Sequence, residues 1–207
     1  MTWKFDKKVS AIFPMHARQH IPHYDHVIDL SVEICKLHDQ NSKIIDVGCA
    51  VGETLSRLEQ HQFHNIYGVD NSQDMLDLCS TKKNLICSDF FPTYLAPFDV
   101  ILCNWTLHFI LNKIQYLDHM FESLLPGGHL VLTEKTSLDQ IPIGFYHMFK
   151  QQQGVPLQEI KNKELSLQSV MHINDPLWYL NKLKEIGFSK IWIIDAYWCF
   201  TTFLAQK

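Results

Sequence analysis

Arginine is nearly missing from this chain: of 207 residues only Arg18 and Arg57 carry a guanidinium, and the formal net charge is -4. Neutralising a phosphate backbone takes a basic stripe, so direct nucleic-acid binding is not expected. The lysine pairs Lys82-Lys83, Lys161/Lys163 and Lys182/Lys184 read as solvated faces. No stretch approaches about 18 consecutive apolar residues, which excludes a membrane-spanning helix. The opening MTWKFDKKVSAIF has neither an apolar core run nor a small-residue cleavage site, so no secretory leader is expected and the cytoplasm is the expected compartment. The six cysteines (35, 49, 79, 87, 103 and 199) form no C-x-x-C pair and no regular framework. They read as small buried hydrophobes. Twelve histidines include a crowd at 16, 20, 23 and 26. His16 and His20 sit one helical turn apart, but Pro22 interrupts and no acid or cysteine nearby completes a zinc pattern, so no metal is expected.

What is present is a globular composition, 46% hydrophobic and 19% charged. No repeat, low-complexity tract or Pro/Ser-rich linker divides it, and the length suits one domain spanning residues 1–207. Short apolar strands alternate with helical stretches: Lys43–Val47, then a helix over Gly52–Gln60; Asn65–Val69, then a helix opened by Ser72; Asn84–Cys87; Phe98–Cys103, then a helix near Lys113–Leu125, stopped by Pro126-Gly127-Gly128; and His129–Thr133. This alternation predicts an α/β fold, a mostly parallel Rossmann-like sheet with helices on both faces. Residues 1–42 read as a helical leader and 136–172 as a helical lid or substrate wall. A helix over Asp175–Ile186, ended by Gly187, precedes two last β runs, Phe188–Ile194 and Trp198–Leu204. Only Asp195-Ala-Tyr197 joins them, which is a hairpin connection, so the final strand is expected to be antiparallel.

The segment Ile44-Ile-Asp-Val-Gly-Cys-Ala-Val-Gly52 carries the chemistry. It is a buried strand ending near a carboxylate, followed by a glycine turn and a helix start. Ligands of open parallel sheets bind at the carboxyl ends of the strands. Gly48 lets backbone approach a ligand, and Gly52 lets the helix pack on the strand. A phosphate-binding turn exploits the helix N-terminus, but the charge of Asp46 would repel a phosphate and suits a cationic group. Asp70 ends the second strand about twenty residues on, where an acid takes ribose hydroxyls. Asn71 follows it. Asp89 ends the third strand, placed to accept from an adenine amine while Phe90 supplies its amide, and Asn104 ends the fourth. Each of these is also an ordinary cap or turn residue; their agreement in register is what points to one adenosine-sized crevice.

This set resembles the class I S-adenosylmethionine-dependent methyltransferases. Asp46, Gly48 and Gly52 look like their first motif, with Ala50 where many members have glycine. The resemblance implies a seven-stranded sheet with a reversed last strand, S-adenosyl-L-methionine as cofactor and S-adenosyl-L-homocysteine as product. A closer likeness runs through Phe5–Pro14, Ile21-Pro-His-Tyr24, Val69-Asp-Asn-Ser72, Asn104-Trp-Thr-Leu107, Glu134-Lys135 and Ser169-Val-Met171. These segments are similar to the carboxy-S-adenosylmethionine synthases, which make a carboxylated sulfonium from S-adenosylmethionine and prephenate for tRNA modification. That likeness implies cofactor contacts from Tyr24, Gly48, Cys49, Ala50, Asp70, Asn71, Asp89, Phe90 and Asn104, and a homodimer. One position departs: Glu164 stands where that family has the arginine that binds the carboxyl group. The exchange replaces a bidentate donor with an acceptor and weighs against carboxylate transfer.

The reading placed first is therefore methyl transfer to a small-molecule acceptor. The alternatives are the carboxylated-cofactor reaction and a non-catalytic cofactor-binding partner. Methyl transfer needs positioning and water exclusion more than covalent help. The candidate proton acceptors are His108, Glu134, and His147 or Tyr146. Trp105, Phe145 and Trp198 are candidate walls of an apolar acceptor pocket.

Overall fold

The computed structural model describes residues 7–82, 84–136 and 139–207. Phe5 and Asp6 of the leader motif, Lys83 and residues 137–138 of the expected lid lie outside the described residues. The leader forms two helices, α1 (Lys7–His20) and α2 (Tyr24–Cys35). Then β1 (Ile44–Val47), α3 (Glu53–Gln60), β2 (Ile66–Asp70), α4 (Gln73–Asp77), β3 (Leu85–Cys87), β4 (Phe98–Asn104) and α5 (Lys113–Ser123) follow in alternation. The second half holds β5 (Leu124–Lys135), α6 (Gln140–Gln152), α7 (Leu157–Leu167), α8 (Pro176–Ile186), β6 (Lys190–Tyr197) and β7 (Phe200–Gln206).

The strands form one sheet in the order β3-β2-β1-β4-β5-β7-β6. The first five are parallel, and β7 runs antiparallel to both its neighbours, β5 and β6. Side chains of successive residues go to opposite faces. Ile45, Ile101, Leu130 and Phe203 pack with α5 and α8 on one face, through Leu117, Met120, Tyr179 and Leu183. Ile44, Val100, Val131 and Leu204 pack on the other with α2 and α3, through Val32, Leu55 and Leu58. Burial on both faces explains why the central strands are nearly continuous apolar runs. The chain leaves β1 toward β2 and later returns to the opposite side at β4, which creates the switch point where a crevice opens.

Caps fix the helix starts. Ser72 accepts from the Met75 amide and Asp175 from the Trp178 amide, so α4 and α8 begin where the sequence places side-chain oxygens. Two boundaries differ from expectation. Pro126-Gly127-Gly128 does not end a helix: α5 stops at Ser123, and the triplet is absorbed as a register shift within β5, between the pairs Phe98–Leu124 and Val100–His129. The last connection is Trp198-Cys199 rather than Asp195-Ala-Tyr197, because β6 stays paired as far as Tyr197–Phe200. Trp198 makes the short reversal by taking a left-handed φ of 52°. Five of the six cysteines are buried as expected, but Cys87 is exposed. Among the described residues no helix is long and apolar enough to cross a membrane.

Candidate active site

A cavity of about 390 Å³ opens at the carboxyl ends of β1, β2 and β4, walled by α1, α6 and α7. The turn after β1 forms its floor. Gly48 has φ 74°, a conformation that L side chains avoid, and a Cβ there would lie 1.9 Å from Thr106 Oγ1. Gly52, with φ 78°, does not line the cavity; a Cβ there would meet Cys79 Sγ at 2.2 Å. It is therefore required by packing near the end of α4 rather than against the strand. Ala50 adopts φ 47°, the left-handed backbone a glycine would take without strain.

Asp46 is buried at the bottom of this turn. Burial first, then the charge of Asp70, pushes its carboxyl up to about 7, against a hydrogen bond from Thr54. Asp70 receives the Ala50 amide at 3.0 Å and the Ser72 amide at 2.8 Å. Burial raises its pKa too, and those amides hold the rise back. Asn71 donates to Asp89 Oδ1 at 3.0 Å. Asn104 donates to Ser31 Oγ at 3.0 Å and accepts from Thr133 at 2.7 Å, so its amide is locked by α2 and β5. Tyr24 stacks on Trp105 with centroids 4.8 Å apart and donates to Glu53 at 2.9 Å. Of the expected cofactor residues, Tyr24, Asp46, Gly48, Cys49, Ala50, Asp70, Asn71, Asp89 and Asn104 thus share one cavity wall. The side chain of Phe90 is 78% exposed, and its amide, the group expected at the adenine, donates to Ser88 Oγ at 3.0 Å.

The expected proton acceptors separate. His108 lines the cavity, with Nδ1 3.0 Å from Glu134. Glu134 has no access to it. It is fully buried behind His108 and receives the Leu107 amide at 2.9 Å and the Tyr179 hydroxyl at 3.1 Å. Its carboxylate therefore meets His108 rather than the cavity. His147 is not in the cavity wall either; its Nε2 lies 2.5 Å from Glu164, and it is Glu164 that faces inward. Phe145 and Trp198 stack on each other away from the cavity, so of the three expected aromatic walls Trp105 lines it, as does Tyr146.

Sequence reasoning missed a second cluster, made of Lys135, Lys150, Lys163, His16 and His20 beside Glu164. Lys163, expected on a solvated face, points inward, 3.0 Å from His16 Nε2. Burial, then Lys150, pulls its pKa down to about 7. Burial, then Lys135, pulls Lys150 to about 8, and burial lowers Lys135. His16 falls to about 4 through burial, then Lys163. Lys150 lies over the Tyr146 ring at 3.7 Å and 3.9 Å from Glu164. His20 is buried against this cluster with neither ring nitrogen hydrogen-bonded, and Trp105 Nε1 is likewise buried and unpaired. Buried polar atoms without partners are uncommon; apart from the Thr81 hydroxyl, away from the cavity, those among the described residues belong to His20 and Trp105 of the cavity wall. The one sequence hint was the i, i+4 spacing of His16 and His20. The arginines go elsewhere: Arg18 pairs with Asp25 and Glu53, each at 2.8 Å, and Arg57 with Asp25 and Asp29.

This fold and crevice define a class. A family model described as a methyltransferase domain matches residues 14–188, and the chain belongs to that family, the class I S-adenosylmethionine-dependent methyltransferases. Within it the chain lies close to the carboxy-S-adenosyl-L-methionine synthases. The one from Helicobacter hepaticus is 30% identical over 99% of this chain and 95% of its own. The one from Yersinia pestis is 28% identical over 92% of this chain and 79% of its own. Among solved structures, the plantazolicin methyltransferase BpumL, in complex with a substrate analogue and S-adenosylhomocysteine, superposes with a TM-score of 0.71 at 14% identity, covering 97% of this chain and 89% of that one. A methyltransferase from Archaeoglobus fulgidus gives 0.68 at 12% identity, covering 94% and 99%.

Proposed function

We propose that this enzyme methylates a small acceptor bearing a carboxylate or comparable anionic oxygen group. The observation that carries the reading is the second cluster: three inward lysines beside His20 and Trp105, whose buried ring nitrogens have no protein partner. A buried donor left unpaired costs about 1–3 kcal/mol, so such groups fit a ligand that supplies oxygen acceptors.

The first wall fits S-adenosylmethionine by its donor and acceptor chemistry. Asp46 would hold the ammonium group, Asp70 the ribose hydroxyls, and Asp89, with Oδ2 still open beside the Asn71 bond, the adenine amine. When bound, the cofactor supplies an electrophilic methyl group on a sulfonium. The protein's own part is to bind, orient and deprotonate the acceptor. Lys135, Lys150 and Lys163 would anchor its anionic end. His108, held at Nδ1 by Glu134, leaves Nε2 to take a proton from the attacking group. Glu164, backed by His147, adds a negative charge inside the lysine cluster and favours an acceptor with a hydrogen-bond donor near its anionic group.

A second reading, synthesis of a carboxylated sulfonium, is favoured by the names of the relatives and by the same lysines, which could bind the carboxyl group as point charges. Against it, the family's arginine position holds an acid that faces the cavity, and neither arginine of this chain reaches there. The test is to incubate the full chain with labelled S-adenosylmethionine and carboxylate-bearing acceptors, and separately with prephenate, and to read the products by mass spectrometry. S-adenosylhomocysteine with a methylated acceptor is the expected outcome; a carboxylated sulfonium would overturn it.

A further inference from the structure

Asp25, the acid within the histidine crowd of the leader, is paired with Arg18 and Arg57, but the fold supplies another. His23 Nδ1 lies 3.2 Å from Asp195 Oδ1, and His26 Nε2 lies 3.8 Å from the same oxygen. One ligand atom from each of the three residues fits within 4.8 Å of the others. A tetrahedral zinc site with bonds of about 2.0–2.2 Å places its ligand atoms about 3.4 Å apart. The side chains therefore need to close by an ångström or so, not to rearrange.

Each ligand is placed by an identifiable device. His23 sits at the start of α2 with a left-handed φ of 60°, and its ring stacks on Tyr197 with centroids 3.9 Å apart. His26 follows on the first turn of the same helix. Asp195 is aimed by a bulge. On β6, Ile193 pairs with Phe203 while Asp195 pairs with Thr202, so Ile194 is an extra residue. Directly paired residues share a face of the sheet, so the extra residue moves Asp195 off the Phe203 face, which packs on α5 and α8. It arrives on the side where α2 lies.

We propose that His23, His26 and Asp195 bind one divalent transition-metal ion. Two imidazoles and one carboxylate form a borderline N₂O donor set that suits zinc, with water completing the exposed fourth position. The ion would tie the first turn of α2 to the β6–β7 hairpin. It would do so next to Tyr24, which stacks on Trp105 in the cavity wall. Its role is to hold that wall in place, apart from the chemistry of the cavity.

The experiment titrates the metal-free full chain with zinc sulfate by calorimetry, repeats it with cobalt(II) to read visible d–d bands, and follows the thermal midpoint. Expected are one equivalent per chain, tetrahedral cobalt bands and a midpoint that rises with zinc. His26→Ala and Asp195→Asn should each weaken uptake by at least about tenfold, given that even supporting residues of metal sites are worth about 10–100-fold. They should also abolish the midpoint rise, while His61→Ala, at an exposed histidine elsewhere, leaves both intact. His26 is exposed, so its variant should fold, and unchanged circular dichroism checks this. No saturable uptake would mean the three groups form only an ion pair and would overturn the proposal. Uptake undiminished in both variants would overturn it equally.

Discussion

In the proposed site, Asp46 would link folding to cofactor capture through one proton. In the empty protein, burial and the nearby Asp70 hold its carboxyl at about 7, against an ordinary value of 3.8. An acid whose pKa is raised on folding stabilises the fold fully below its unfolded value and loses that contribution as pH rises through the folded one. Between pH 4 and pH 7 the empty protein should therefore lose about 4 kcal/mol, since each pH unit in that window is worth roughly 1.4 kcal/mol. A cationic ligand group beside Asp46 reverses the preference, because it favours the ionised carboxyl. Affinity for S-adenosylmethionine should then fall roughly tenfold per pH unit below 7, reaching about a hundredfold between pH 8 and pH 5. At pH 7 binding should release about half a proton, measurable by calorimetry in two buffers of different ionisation enthalpy. Asp46→Asn should give opposite signs in two assays: a higher thermal midpoint for the empty protein at pH 8, and weaker, pH-independent cofactor binding. Wild-type affinity constant from pH 5 to pH 8, with no proton released, would refute the electrostatic role assigned to Asp46.

Gly48→Ala should cost about 2–4 kcal/mol in urea unfolding, from a left-handed backbone worth about 1–2 kcal/mol and displacement of the Thr106 hydroxyl from Val47 and Asn104. Ala50→Gly in the same turn should stay within about 1 kcal/mol of wild type, because relief of strain offsets the added chain entropy. Glu134→Gln should lower stability by about 2 kcal/mol, since His108 loses a buried charged partner. If His108 is the base, the same variant should lower kcat more than it raises KM for the acceptor, and a change confined to KM would count against that role. With an anionic acceptor, kcat/KM should fall as pH rises past about 7 to 8, where Lys163 and then Lys150 lose their charge. Lys163→Met should flatten the alkaline limb of the pH–rate profile, and an unaltered limb would place the acceptor's anion elsewhere.

The first cavity wall, proposed for the cofactor, was largely legible in the sequence because each of its parts lies within a few residues of a strand end. Asp46, Asp70, Asp89 and Asn104 follow apolar runs whose length identifies them as strands, and the sheet then carries all four to one edge. The glycines were legible for a related reason, although the partner of Gly52 proved to be Cys79. The expectation for Phe90 concerned its amide, so the exposure of its side chain to solvent leaves that expectation where it stood. The place of Glu134 behind His108 was not legible, because polarity at a strand end suits orienting a neighbour as well as meeting a substrate.

The lysine–histidine cluster and the histidine–aspartate triad depend on distances along the chain that no local pattern encodes. His16 and Lys163 are 147 residues apart, and His23 and Asp195 are 172 apart. Alternating periodicity and turn chemistry operate over windows of a few residues, so the sequence alone determined the strands, their direction and the acids at their ends. Which face of α1 meets α6 and α7, and which way a one-residue bulge turns Asp195, were decided only when apolar surfaces far apart in the chain packed together. That packing set the charge of the lysine end of the cavity, because it brought three lysines and two histidines together partly or wholly out of water.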